Sequence, residues 1–313
     1  MQMTRRFSKD IVHRWEGNPL ISIEDLDFRC SDIRSPGVAM CQSEVVLLVT
    51  IEHLSGAQSV HLARAENDRR YIVDKKAFLK PSREVRYKRH ESQGIMDARI
   101  TFLNGVYYIS YLAKGDDGFR IGLAATKDFV EVERIAIISE PDTKAGALFP
   151  AKIGGRFARL ERPCSGNSIW ISFSDDFLYW GDSQIIFSPR DGFWDSSRIG
   201  CGPPPIRIDQ GWLLLYYGVK ETSSGPLYRL GAAILDGNNP TTILARGNIP
   251  ILSPRELNER VGDVQNMIYS VGALVDQAGK MEIYYGSANS EICVAYTTVD
   301  KVITECIQSK EVF

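Results

Sequence analysis

The chain has 313 residues, 44% hydrophobic and 24% charged, with 37 Lys and Arg against 39 Asp and Glu and a net charge of −2. That balance fits an ordinary soluble globular protein. It lacks the basic excess of a nucleic-acid groove or polybasic membrane face, so neither partner is expected. No apolar stretch approaches the roughly 18 residues needed to span a bilayer, and the basic start MQMTRRFSKDIVHRW has no apolar segment behind it, unlike a secretory signal.

The six cysteines are scattered without a CxxC pair, and there are four histidines. Neither residue type has zinc-site spacing, so no metal is expected. A reducing, cytoplasmic setting is the simplest expectation for such cysteine usage.

One unit recurs along the chain: an aromatic or aliphatic strand, a polar turn, then a strand rich in Leu, Ala and Gly. It runs over Glu44–Asn67 and Gly105–Asp128, more loosely over Ser168–Trp180, then over Gly211–Asp236 and Lys280–Asp300. Copies lie roughly 50–60 residues apart, at or slightly above propeller-blade spacing. Turn signals such as Asn104-Gly105, Asp117-Gly118 and Gly154-Gly155 separate the strands. Helical periodicity is nearly absent, and the best helical candidate is a short stretch at Pro254–Val261. The pattern predicts an all-β fold, a five-bladed β-propeller of four-stranded blades, with a two-sheet sandwich as the alternative. No Pro/Ser/Gly-rich linker interrupts the sequence, so residues 1–313 are expected to form a single catalytic domain.

Five segments place unusual residues where blade-connecting loops would gather. In GIMDARI (Gly94–Ile100), Asp97 stands among apolar residues just before a strand. Such an Asp is commonly a turn former or cap. Arg99 would point to the same side of an extended chain, either holding Asp97 charged or pairing it structurally. Next, ALFPAKIGGRFARLERP (Ala147–Pro163) is a hairpin carrying Lys152, Arg156, Arg159 and Arg162. These cations suit a bidentate oxyanion site, or simply a solvated strand. WDSSRIGCGPPPI (Trp194–Ile206) is stiffened by Gly and Pro and carries one cation, Arg198. In the fourth and fifth, LLYYGV (Leu214–Val219) and YYGSANSEI (Tyr284–Ile292), Tyr216, Tyr217 and Tyr284 lie near strand ends, where tyrosines serve either the core or a sugar ring. Asn18, Asn266 and Asn289 are turn formers or hydroxyl partners.

Taken together with EGNPLIS (Glu16–Ser22), GWLLLYYGV, YRLGAAILD and EIYYGSANSEIC, these segments resemble glycoside hydrolase family 130, the β-mannoside phosphorylases and β-mannosidases. GPPPI preceded by WDS-x-x-I-G is the most specific piece. The resemblance implies a five-bladed propeller, with Asp97 as proton donor to the glycosidic oxygen through a mannose hydroxyl. It also implies that inorganic phosphate attacks with inversion. Arg159, Arg162 and Arg198, helped by Tyr217, would bind phosphate, and Glu52, Arg64, Arg99 and Asn289 would line the sugar pocket. Phosphate needs no general base, so one acid and a cationic cluster suffice.

The sequence departs from the family pattern at four places. Ala98 replaces the usual Pro, Tyr217 the usual His, Asn289 the usual Asp, and Arg198 the usual Lys. The chain also resembles a eukaryotic branch of mannosyltransferase/phosphorylases acting on β-1,2-linked mannose.

The reading implied is a reversible, inverting β-1,2-mannoside phosphorylase. Its partners would be β-linked mannose oligosaccharides, with phosphate or mannose 1-phosphate as co-substrate and no other cofactor; a homo-oligomer is compatible with the sequence. Transfer from a nucleotide-linked mannose, hydrolysis, and non-catalytic mannoside binding are the alternatives.

Overall fold

A computed structural model describes residues 11–67 and 69–309; the basic N-terminal stretch 1–10 lies outside them. After a short strand β1 (His13–Arg14), the chain lays down five small antiparallel sheets in sequence. Blade one holds β2 (Asp32–Cys41), β3 (Glu44–Glu52), β4 (Gln58–Asn67) and β5 (Arg70–Val73). After helix α1 (Val85–Glu91), blade two holds β6 (Gly94–Leu103), β7 (Val106–Gly115), β8 (Gly118–Thr126) and β9 (Glu133–Ile137). Blade three holds β10 (Thr143–Leu148), β11 (Phe157–Pro163), β12 (Ile169–Ser174) and β13 (Gly181–Phe187). Blade four holds β14 (Arg198–Cys201), β15 (Ile206–Ile208), β16 (Gly211–Thr222), β17 (Gly225–Asp236) and β18 (Ile243–Arg246). Helix α2 (Leu257–Arg260) precedes β19 (Ile268–Val275), β20 (Lys280–Ser287) and β21 (Glu291–Thr298), and helix α3 (Val299–Gln308) follows. The chain is a five-bladed β-propeller, as the repeat predicts.

Strand β1 closes the ring by pairing with β21, completing blade five from the opposite end of the chain. Arg14 clamps that closure through a bidentate pair with buried Glu259, at 2.6 and 2.8 Å. Tyr285 also donates to Glu259, at 2.9 Å.

The repeated strand pairs are mostly the middle strands of the blades, and their continuous apolar runs have a simple cause. Along β3, Val46 and Leu48 pack against blade two with Ile109 and Tyr111, while Leu47 and Val49 pack against blade five with Tyr284 and Val294. In β16, Trp212, Leu214 and Tyr216 face blade three, and Leu213 and Leu215 face blade five. Both faces of a middle strand are therefore buried, which removes the polar alternation of a one-sided sheet. Each such side chain contributes about 1.5–3 kcal/mol when buried.

Three sequence expectations shift. The loose third copy, Ser168–Trp180, covers β12 and the following turn, whereas the middle pair of blade three is β11 with β12. The helix expected over Pro254–Val261 is confined to Leu257–Arg260. Helix α3 was not anticipated, although Val302, Ile303 and Cys306 form its buried stripe and Thr298 caps it by accepting from Lys301 N at 3.3 Å.

The innermost strands share a defect that positions the site. Pairing slips between Arg34 and Gly37 in β2, between Met96 and Arg99 in β6, between Lys144 and Ala147 in β10, and between Ser270 and Gly272 in β19. In blade four, the inner edge is instead broken between β14 and β15 by the Gly202–Pro205 turn. A β-bulge re-aims the residue it frees. Three freed residues, Ser35, Asp97 and Ala145, have φ of 55°, 56° and 54°, a left-handed conformation that costs a non-glycine residue about 1–3 kcal/mol.

Candidate active site

Two of those bulges bring Ser35 and Asp97 together. Gly37 is what lets β2 and β6 approach: a Cβ there would overlap the carbonyl oxygen of Ala98. The Ser35 hydroxyl donates to Asp97 Oδ1 at 2.5 Å, and the Tyr269 hydroxyl donates to Oδ2 at 3.1 Å. The Asp97 amide donates to Thr50 Oγ1 at 3.1 Å, fixing the bulge itself. Burial first, and the Asp97 carboxylate second, push the Tyr269 phenol well above its usual pKa, so it keeps its proton.

Asp97, Ser35 and Tyr269 line a cavity of about 340 Å³, together with Glu52, Asp263 and Asn289. That volume is within the range of small-molecule sites. Arg34 neutralises the other two carboxylates, pairing with Glu52 and lying 3.3 Å from Asp263. Gln58 Nε2 donates to Glu52 at 2.7 Å, and Asn289 Nδ2 to Asp263 at 2.7 Å.

A cationic wall adjoins this cavity. The Tyr269 ring meets Tyr217 edge-on, with centroids 5.3 Å apart. Arg162 Nε donates to the Tyr217 hydroxyl at 3.1 Å. Lys144 is the register partner of Arg162 across β10 and β11, which places the two on one face of the sheet. Among the described residues, neither Lys144 nor Arg162 has an ion pair, and the terminal nitrogens of Arg162 have no hydrogen-bond partner. Burial lowers the Lys144 pKa and nearby Arg162 lowers it further, against the opposing pull of Cys164, Asp97 and Asp142. An anion bound between these cations would relieve both penalties. Burial also raises the Tyr217 phenol, leaving it a protonated donor whose proton has no acceptor among the described residues.

The structure brings Asp97, Glu52 and Asn289 to the cavity and Arg162 and Tyr217 to its cationic side. Arg198 lies farther along that side: it donates to Tyr228 at 2.6 Å, Tyr228 faces Tyr217 at 6.3 Å, and Glu221 pairs with Arg198 at 3.4 Å.

Three residues expected at the site go elsewhere. Arg159 is buried against Glu161, with which it forms an ion pair, and donates to Ile138 O at 2.6 Å. Its guanidinium lies 4.3 Å from the Trp180 ring centroid. Strand alternation is the reason, since residues three apart face opposite sides. Arg64 sits on the third strand of blade one, away from the axis, and bonds Asp74 and Phe129 O. Arg99 does not line the cavity. The bulge breaks its alternation with Asp97, so it donates to the Asp97 backbone carbonyl at 3.1 Å, and to Cys201 O, Gly202 O and the Tyr269 hydroxyl at 2.8–3.0 Å. Arg99 thus fastens the Gly/Pro turn and Tyr269 to the strand that carries Asp97.

Of the residues not singled out by sequence, Ser35, Arg34, Tyr269 and Asp263 line the cavity, and Lys144, whose Nζ lies 3.4 Å from the Phe119 ring centroid, is the second cation without an ion pair among the described residues. Their signal is positional: each is a polar residue in or beside an innermost strand, a rank that only a known blade order provides. The remaining asparagines divide. Asn18 is spent on Val294, accepting from its amide and donating to its carbonyl, both at 2.9 Å, and Asn266 adopts φ of 53° in a turn.

Comparison with known proteins agrees with this architecture. A 1,2-β-oligomannan phosphorylase of Thermoanaerobacter sp. (strain X514) is 38% identical over 208 residues, 66% of this chain and 68% of the relative. A β-1,2-mannobiose phosphorylase of Listeria innocua is 33% identical over 264 residues, 83% of this chain and 71% of the relative. The solved structure of a β-1,2-mannobiose phosphorylase from Listeria innocua, in complex with β-1,2-mannobiose, superposes with a TM-score of 0.86 at 27% identity, covering 95% of this chain and 99% of that one. A family profile described as β-1,4-mannooligosaccharide phosphorylase matches residues 4–308, and with these relatives it establishes that the chain belongs to glycoside hydrolase family 130, a family of enzymes acting on β-mannosides.

Proposed function

We propose that the protein is a β-1,2-mannoside phosphorylase that converts a β-mannooligosaccharide and inorganic phosphate, reversibly and with inversion, into mannose 1-phosphate and a shortened chain. One observation carries the reading: a carboxyl group, Asp97, lies one tyrosine pair away from two cations that have no carboxylate partner among the described residues. Asp97 protonates the departing glycosidic oxygen. Arg162 and Lys144 hold phosphate, Tyr217 donates to it, and Arg198 extends the positive wall.

Hydrolysis would require a carboxylate free to activate water. The other two carboxylates in the cavity, Glu52 and Asp263, are both engaged by Arg34, which argues against it. The β-1,2 linkage is supported by the names of the relatives above, whereas the family description names a β-1,4 linkage.

The test is to incubate the protein with β-1,2-mannobiose, and in parallel β-1,4-mannobiose, with and without phosphate. Mannose 1-phosphate formed from the β-1,2 substrate only when phosphate is present is expected. Free mannose released equally well without phosphate would move the protein to the hydrolases.

A further inference from the structure

Lys144 is held by an aromatic ring. Its Nζ lies 3.4 Å from the centroid of Phe119, and among the described residues it has neither an ion pair nor a hydrogen bond. The two residues come from neighbouring blades, Phe119 from β8 of blade two and Lys144 from β10 of blade three. Cation–π attraction reaches out to about 6 Å from the centroid, so this ammonium sits in close contact with the ring face.

The backbone around the pair is built for that contact. The β7–β8 hairpin turns through Asp116 and Asp117, and Arg89 of helix α1 pins Asp117 at 2.8 Å. Gly118 follows, with φ of 84°, a conformation that glycine adopts without strain. A Cβ there would overlap the Asp142 carboxylate. Glycine therefore lets the hairpin lie against the entrance of β10, two residues before Lys144, and Phe119 is the next residue along.

The choice of partner has a chemical consequence. A carboxylate would hold Lys144 but answer its charge. An aromatic face attracts an ammonium through its quadrupole and leaves the net charge in place. An ammonium carries three N–H donors, and a ring on one side leaves donors for a ligand on the other. Around Lys144, Arg162 disfavours its charge, while Cys164, Asp97 and Asp142 favour it without an ion pair.

We propose that Phe119 is a positioning residue for phosphate: its ring holds the Lys144 ammonium beside Arg162 without cancelling the charge that the anion needs. This rests on the reading that Lys144 and Arg162 bind phosphate.

The test is the phosphate KM, at saturating β-1,2-mannobiose, of Phe119→Leu, Phe119→Trp, Lys144→Met and the double variant Phe119→Leu/Lys144→Met. Leucine keeps an apolar side chain but has no π face, and tryptophan is the strongest cation–π partner. Phe119→Leu is expected to raise the phosphate KM about 3- to 30-fold, with kcat and the mannobiose KM near wild type. Phe119→Trp should stay within about threefold of wild type. In the Lys144→Met background, Phe119→Leu should add nothing, because its partner is gone.

A pH series gives a second readout. Burial first, and Arg162 after it, hold the Lys144 pKa below its usual value. The ring favours the charged amine, so its removal lowers that pKa further. The phosphate KM of Phe119→Leu should therefore begin to climb at a lower pH than that of the wild type.

An effect of Phe119→Leu that is the same with and without Lys144 would overturn the inference, because the ring would then serve packing alone. A raised phosphate KM in Lys144→Met beside an unchanged one in Phe119→Leu would overturn it too, and leave the phosphate reading standing. An unchanged phosphate KM in Lys144→Met would remove Lys144 from that reading, and Phe119 with it. Turnover that does not depend on phosphate at all would remove both together.

Discussion

The two faces of strand β11 carry the same side chain to opposite ends. Arg159 faces blade two and is consumed there by Glu161, the Ile138 carbonyl and the Trp180 ring. Arg162, three residues later, faces blade four, has the Tyr217 hydroxyl as its one side-chain hydrogen-bond partner among the described residues and stands beside a second, half-buried cation, Lys144. A guanidinium with its own carboxylate is a structural element, because its charge is already answered. One held by burial without a counter-ion has capacity left for an anionic ligand. Charge density in the sequence does not separate these cases; the partner does.

The sharpest way to break this contrast starts opposite the cationic wall. Asp97→Asn keeps the shape and hydrogen-bonding size of the side chain but has no proton to give. Phosphorolysis of mannobiose should fall by about 10³-fold or more, with the melting temperature close to wild type. Turnover retained in this variant would remove the acid from the scheme.

The next effect falls on stability. Arg159→Met leaves Glu161 buried, with Ser172 as its remaining hydrogen-bond partner. Removing one member of a buried pair costs about 3–5 kcal/mol. Denaturant unfolding should show that loss, the double variant Arg159→Met/Glu161→Leu should recover much of it, and the phosphate KM of the folded single variant should stay unchanged. A raised phosphate KM with intact stability would mean that the two faces have been assigned the wrong way round.

Much of this was legible in the sequence. Five copies of a strand-turn-strand unit predict five blades, because middle strands buried on both faces must be apolar throughout. Asp97 stood out as a carboxylate among apolar residues. What the sequence concealed follows from bulges and side-chain parity. Arg99 was read as sharing a side with Asp97, but the slipped register between Met96 and Arg99 points it into the ring, where it holds Tyr269 and the Gly/Pro turn. Arg159 and Arg162 were grouped although an odd spacing separates them on a strand, a rule that needed no structure. Ser35, Tyr269 and Lys144 carry no motif of their own, and only the convergence of inner strands from different blades puts them beside Asp97.

The central claim is that the Arg162 face binds phosphate, and the phosphate KM of Arg162→Met measured with saturating β-1,2-mannobiose tests it most directly. Charge-assisted hydrogen bonds contribute about 1.5–3 kcal/mol, so the account predicts a phosphate KM raised roughly 10- to 100-fold, with the mannobiose KM near wild type. An unchanged phosphate KM, in a variant that folds and turns over, would contradict it.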